Sequence, residues 1–222
     1  MLKLLIGNKA YSSWSLRGWL ACKLSGLAFG EETVSLYSDS WDERRTRPDF
    51  APSGGKVPIL WDGDNPVWDS LAIIDYLDAK SGNDKFWPAD PAACGLARSM
   101  AAEMHSGFTA LRRTHPMNVR KTFPARPVDQ AVQADIDRMV WLWAQARARY
   151  GSSGDFLFGV FGAADIMFAP AITRFTTWSL PIPDAAHAYA DAVTAHPFMQ
   201  EWIDAARTED WVIDRFESAS QS

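Results

Sequence analysis

The chain has 222 residues, 47% of them hydrophobic and 22% charged, which is material for one large domain or two small ones with a sizeable core. A formal net charge of −5 argues against general nucleic-acid binding, which usually brings a basic domain or patch. Only local basic clusters remain, one at Arg44, Arg45 and Arg47 and one at Arg112, Arg113, Arg120 and Lys121. The two cysteines, Cys22 and Cys94, fall in helical patterns and read as buried free thiols, with no zinc or redox spacing. His105, His115, His187 and His196 show no metal-ligand spacing, and no secretory signal is visible. The apolar run 156–172 contains Asp165, Pro170 and two glycines, so it reads as a buried helix and its approach, not a membrane span. The expectation is a soluble, cytoplasmic protein that binds neither nucleic acid nor membrane.

In chain order, residues 2–6 read as a short buried strand. Residues 16–27 carry apolar positions at helical spacing, with Gly26 suited to a C-terminal cap. Residues 33–36 suggest a second strand, which makes that helix the crossover of a βαβ unit. A charged stretch, 40–50, precedes a loop, 51–58, with two glycines and two prolines. Residues 59–61 form a strand, Asp62-Gly63-Asp64-Asn65 a hairpin turn, and 66–68 the return strand. Asp69-Ser70 opens a third helix whose apolar face carries Leu71, Ile74 and Leu77. The order is β-α-β-α-β-β-α over residues 1–80, a small α/β domain with two parallel and two antiparallel strand relations.

Residues 81–90 read as a linker, and everything after them as helical. One long helix is expected from Asp90 or Pro91 past Leu111, a break at 114–118, and further helices over 128–150, 163–178, 183–195 and 197–206. Trp211, Val212, Ile213 and Phe216 are expected to dock the tail before 218–222 frays. No internal repeat or low-complexity tract is present.

The turn between the first strand and first helix, Tyr11-Ser12-Ser13-Trp14-Ser15, holds three serine hydroxyls in four positions. A serine oxygen there can accept a bond from an orphan N–H of the first turn, or the helix terminus can hold an anion. Taken alone, the stretch reads as a helix cap.

Four motifs in order carry a resemblance over the whole chain. Ser12-Ser13-Trp14-Ser15-Leu16-Arg17 resembles the serine signature of zeta and tau glutathione transferases. Gly55-Lys56-Val57-Pro58 resembles that family's loop to a cis-proline, although an X-Pro bond taken by itself favours trans. Asp69-Ser70 with the helix after it resembles the acidic-Ser motif, and 159–170 resembles the buried sixth helix, with Gly162 where Ser or Thr usually caps. The resemblance implies a thioredoxin-like α/β N-terminal domain (1–80), the linker and an all-α C-terminal domain (91–222), assembled as a homodimer. It implies glutathione as co-substrate, adding its thiolate to a small electrophile.

On that reading Asp69 takes the γ-glutamyl ammonium, and Ser70 the adjacent carboxylate. Val57 and Pro58 face the cysteinyl part, and Lys56 the glycine carboxylate, with Arg44 or Arg45 as second choice. The serine patterns map the thiol donor to Ser12, with Ser13 the alternate, Ser15 a capping or first-turn residue and Tyr11 a further possibility. Trp14 is either core or the floor of a second-substrate pocket, for which His105, Phe108, Arg112, Met117 and Asn118 are candidates. A salt bridge is the ordinary fate of Arg112, and binding of an acidic substrate the sharper one. Asp165 is expected to serve folding. The zeta pattern has Cys at Trp14, which speaks against the alternative of a cis-trans isomerase of the maleylacetoacetate type. A non-catalytic ligand-binding or interaction protein on the same fold is the other alternative.

Overall fold

The computed structural model describes residues 1–82 and 84–218. Asn83 of the expected linker and residues 219–222 of the expected frayed end lie outside the described residues. Strand β1 (Leu2–Gly7) is the hub, because Leu4, Leu5 and Ile6 are buried on both of its faces. It sits in a four-stranded sheet of order β2-β1-β3-β4. β2 (Phe29–Val34) runs parallel to it, from Leu2 opposite Phe29 to Gly7 opposite Val34. β3 (Ile59–Asp62) is antiparallel to β1, and β4 (Asn65–Val67) antiparallel to β3 across the Gly63-Asp64 turn. The sheet thus has one parallel and two antiparallel relations, a correction to the expected two of each. Four strands in an open sheet have only three junctions.

α1 (Ser13–Ser25) is the crossover between β1 and β2, and Gly26, at φ 73°, closes it by donating to the Lys23 carbonyl. β2 starts four residues earlier than expected. Its glutamates mask it: Glu31 faces α1, where it accepts a 2.7 Å bond from Trp19 Nε1. A short helix α2 (Trp41–Arg44) buries Trp41 edge-on against Phe50. The Val57-Pro58 bond is cis, as the resemblance implies, and Trp68-Asp69 is cis as well. α3 (Ser70–Ser81) follows directly, capped by Asp69, whose Oδ1 accepts from the Leu71 N–H at 3.0 Å.

The long helix expected past Leu111 is two helices, α4 (Pro91–Ser106) and α5 (Thr109–Thr114). They part at Gly107, where a Cβ would stand 2.8 Å from the Glu103 carbonyl oxygen, and at Phe108, which adopts φ 55°. α6 (Gln130–Tyr150), α7 (Ala163–Trp178), α8 (Asp184–Ala195) and α9 (Pro197–Arg207) complete the set. α7 is buried along almost its whole length and packs on both α1 and α4. A single apolar cluster therefore runs from Leu4 and Leu16 through Phe168 to Trp202.

Asp165 holds the approach to α7, accepting from Leu157 N–H (3.1 Å) and Gly162 N–H (2.9 Å). Glycine at 162 has a steric reason, since a Cβ there would meet the Phe86 carbonyl oxygen at 2.9 Å. That oxygen already accepts from the Ala163 N–H. The tail docks through Ile213 and Phe216, whereas Trp211 and Val212 are exposed. Cys22 is buried, but Cys94 is only partly so, a correction for the second thiol. Among the described residues no helix is long and apolar enough to cross a membrane.

Candidate active site

A cleft of about 970 Å³ opens where the start of α1, the cis-proline loop and the start of α3 face α4, α5 and the tail. That volume is at the upper end of ordinary ligand sites. Of the residues singled out from sequence, Ser12, Ser13, Trp14, Lys56, Val57, Pro58, Asp69, His105, Arg112 and Met117 line it. Ser70, Phe108 and Asn118 are not lining residues. Ser70 is fully buried behind the wall, and Phe108 turns into the helical core against Phe168. Asn118 donates instead to the Phe216 carbonyl and to Glu217 of the tail.

The serines divide their work differently from the expectation. Ser12, not Ser13 or Ser15, is the N-cap of α1. Its oxygen accepts from Ser15 N–H at 3.4 Å, and its hydroxyl donates to Ser15 Oγ at 2.8 Å. Ser15 Oγ in turn accepts from the Gly7 N–H at 2.9 Å, tying the helix start to β1. Ser13 is the first helical residue and is only half-buried, and its hydroxyl has no partner among the described residues. Tyr11 is committed elsewhere: its hydroxyl donates to Glu217 and accepts from Arg120, and burial raises its pKa.

The cis-proline loop is held against α1 by shape. A Cβ on Gly18 would lie 2.8 Å from Pro58 Cγ, so only glycine lets the helix sit this close. Arg44 and Arg45 separate clearly. Arg44 grips Asp49 with two bonds, at 2.8 and 2.6 Å, which lower the Asp49 pKa, and reaches Glu32 at 2.7 Å, whose pKa is lowered first by Lys3 and then by Arg44. Lys56 and Arg45 both line the cleft, Arg45 in an exposed ion pair with Asp42 at 3.4 Å.

On the far wall His105 Nε2 lies 3.1 Å from Asp69 Oδ2, and the His105 ring meets Trp14 edge-on at 5.3 Å. The Arg17 and Arg112 guanidiniums lie over the Trp14 ring at 4.6 and 4.7 Å. Trp14 is therefore both packed and part of the cleft wall. Arg112 makes no salt bridge among the described residues, contrary to the ordinary expectation. Its Nη1 donates to the carbonyls of His105 (3.1 Å) and Gly107 (3.0 Å), bracing the α4–α5 break. Arg174 also lines the cleft. Its signal in the sequence is a lone cation in the apolar run of α7.

A family model described as glutathione S-transferase, N-terminal domain, matches residues 11–80. Residues 11–80 thus carry a glutathione S-transferase N-terminal domain. The chain is 36% identical over 63 residues to a dichloromethane dehalogenase of Methylophilus leisingeri, a match covering 28% of this chain and 23% of that protein. It is 26% identical over 155 residues to glutathione S-transferase GstB of Escherichia coli K12, covering 67% and 74%. A glutathione transferase homolog from Burkholderia gl BGR1, solved with bound glutathione, superposes with a TM-score of 0.69 at 23% identity, covering 94% and 99%. At that identity the superposition speaks for the fold. It is the glutathione transferase fold expected from the motifs, with a thioredoxin-like α/β part and an all-helical part.

Proposed function

We propose that the chain is a working glutathione transferase that binds glutathione in this cleft, ionises its thiol and adds the sulfur to a small electrophile. The observation that carries the reading is the open Ser13 hydroxyl at the N-terminus of α1, in the same cleft as the Val57-Pro58 loop and the Asp69 cap. The residues suit the tripeptide. The start of α3, where Ser70 is the first helical residue, offers the γ-glutamyl carboxylate a helix N-terminus. Asp69 would take the neighbouring ammonium, Val57 the cysteinyl backbone, and Lys56 the glycine carboxylate, with Arg45 beside it.

Ser13 is the donor to sulfur in this account, and Ser12 a positioning residue, because the Ser12 proton is spent on Ser15. A free thiol titrates near ~8.5, and a helix N-terminus with a hydroxyl donor lowers that value. The nucleophile belongs to glutathione, and the protein orients and ionises it. The division into 1–80, the linker 81–90 and 91–222 assigns thiol binding to the first part and electrophile choice to the second. A homodimer in the cytoplasm is the setting the resemblance implies.

Conjugation of a simple aryl halide by wild type, Ser12→Ala and Ser13→Ala tests the reading. Loss of a preorganised donor should lower kcat by about a hundredfold in Ser13→Ala. Ser12→Ala should chiefly cost stability, about 1 kcal/mol for a lost N-cap. Glutathione binding with no turnover across a panel of electrophiles would sink the enzyme reading in favour of a binding protein.

A further inference from the structure

The helical wall of the cleft carries three arginines that form no ion pair among the described residues. Arg17 and Arg174 are 1% and 5% exposed, and Arg112 is half-buried beside them. All of their hydrogen bonds go to backbone carbonyls. Arg17 Nε donates to Met167 O at 3.0 Å. Arg174 donates to His115 O and Pro170 O at 2.9 Å each, and Arg112 to the two carbonyls at the helix break. Among the described residues no carboxylate lies within ion-pair distance of any of the three. The acids that act on them from further away are Asp69 on Arg17 and Asp135 on Arg112, and Asp135 already holds the Leu111 N–H. Burial lowers all three guanidinium pKa values. Repulsion from Arg174 and then Arg112 adds to this at Arg17, and repulsion from Arg112 at Arg174, which falls to about 9.

Carbonyl bonds satisfy N–H groups but leave the net charge uncompensated, and buried uncompensated charge is costly. Arg112 and Arg174 line the cleft, so an anion bound there can reach both. A guanidinium presents a planar fork matched to a carboxylate. We propose that the second substrate is a carboxylate-bearing electrophile whose carboxylate sits on Arg112 and Arg174 beside Trp14. The inference rests on the glutathione reading above, in which the start of α3 and Lys56 take the two glutathione carboxylates and leave this cluster to the other reactant. With a haloaryl acid the thiolate sulfur attacks the ring carbon, a C–S bond forms, and chloride leaves with its bonding pair. The thiol proton passes to solvent beforehand.

The test compares 4-chloro-3,5-dinitrobenzoate with its methyl ester as electrophiles for wild type, Arg112→Gln and Arg112→Lys. A charge-assisted bond should favour the acid in kcat/KM by about tenfold or more in wild type. The acid-to-ester ratio should fall towards one in Arg112→Gln and be partly kept in Arg112→Lys, a pattern that a purely structural role would not give. Calorimetry with the unreactive pair 3,5-dinitrobenzoate and its methyl ester, without glutathione, should give the same preference in binding. Parity of acid and ester in wild-type calorimetry overturns the proposal. So does an Arg112→Gln variant whose ratio is unchanged while its KM for glutathione rises, which would give the cluster to a glutathione carboxylate. Turnover of the ester with no acid preference sinks this inference alone. Absence of glutathione binding sinks the transferase reading, while calorimetry still decides on the arginine cluster.

Discussion

His105 Nε2 lies 3.1 Å from Asp69 Oδ2, and this contact joins α4 to the cap of α3 across the mouth of the cleft. It places one carboxylate under two demands, since Asp69 Oδ1 already accepts from the Leu71 N–H. The Asp69 side chain is 50% exposed, so solvent screens the pair and its worth is modest. His105→Ala should raise KM for glutathione about two- to fivefold, or about 0.5–1 kcal/mol, with the effect shrinking at high salt. Steady-state kinetics at two ionic strengths check this.

Asp69→Asn separates capping from binding. Asparagine caps a helix as well as aspartate does, so thermal stability should hardly move. The charge for the γ-glutamyl ammonium is lost, and glutathione affinity should fall by about tenfold or more. Calorimetric titration beside a melting curve reads both. Equal affinity in the two proteins would remove Asp69 from the binding site.

Asp165 gives a pH signature. Burial lifts its carboxyl to about 6 in the folded protein from an ordinary 3.8, with the bonds from Leu157 and Gly162 pulling the other way. A raised folded pKa means that the fold retains a proton the unfolded chain has already lost. Its contribution to stability is full below the unfolded value and fades as pH rises from about 4 through about 6. Asp165→Ala should cost about 2–5 kcal/mol by leaving two buried N–H groups without an acceptor. Asp165→Asn should cost less and flatten the urea midpoint's dependence on pH across that window.

The two thiols should behave differently. Burial pushes Cys22 up to about 12, with Glu31 adding to the effect, whereas Cys94 is partly exposed. An aromatic disulfide reagent at neutral pH should titrate one thiol in the native protein and two after denaturation. Mass spectrometry should place the first label on Cys94. Native labelling of Cys22 would contradict the burial of α1 against α7.

How far the sequence carried is clear from particular residues. Gly26, Asp69 and the Asp62–Asn65 turn act through local backbone chemistry, which sequence records directly, and each stands where it was read. β2 was displaced because its glutamates serve tertiary partners, Glu31 on Trp19 and Glu32 on Arg44. The α4–α5 break at Phe108 is stabilised by packing on Phe168 and by Arg112, neither of which is local. In the cleft, the motifs named the start of α1, the cis-proline loop and Asp69, but not the wall lent by Leu36, Tyr37 and Trp41. They could not assign the serines, since which hydroxyl stays free depends on where Gly7 and Ser15 meet in space. Arg174 reaches the cleft from about 160 residues beyond Trp14, a neighbourhood that only the packing of α7 on α1 creates.

The central claim is that Ser13 and the start of α1 hold glutathione as its thiolate. Ultraviolet thiolate absorbance of bound glutathione, titrated against pH for wild type, Ser12→Ala and Ser13→Ala, tests it most directly. The account predicts a bound thiol at least about one unit below the free value near ~8.5 in wild type, returning towards that value in Ser13→Ala and little changed in Ser12→Ala. An identical titration in wild type and Ser13→Ala, or a shift confined to Ser12→Ala, would contradict it.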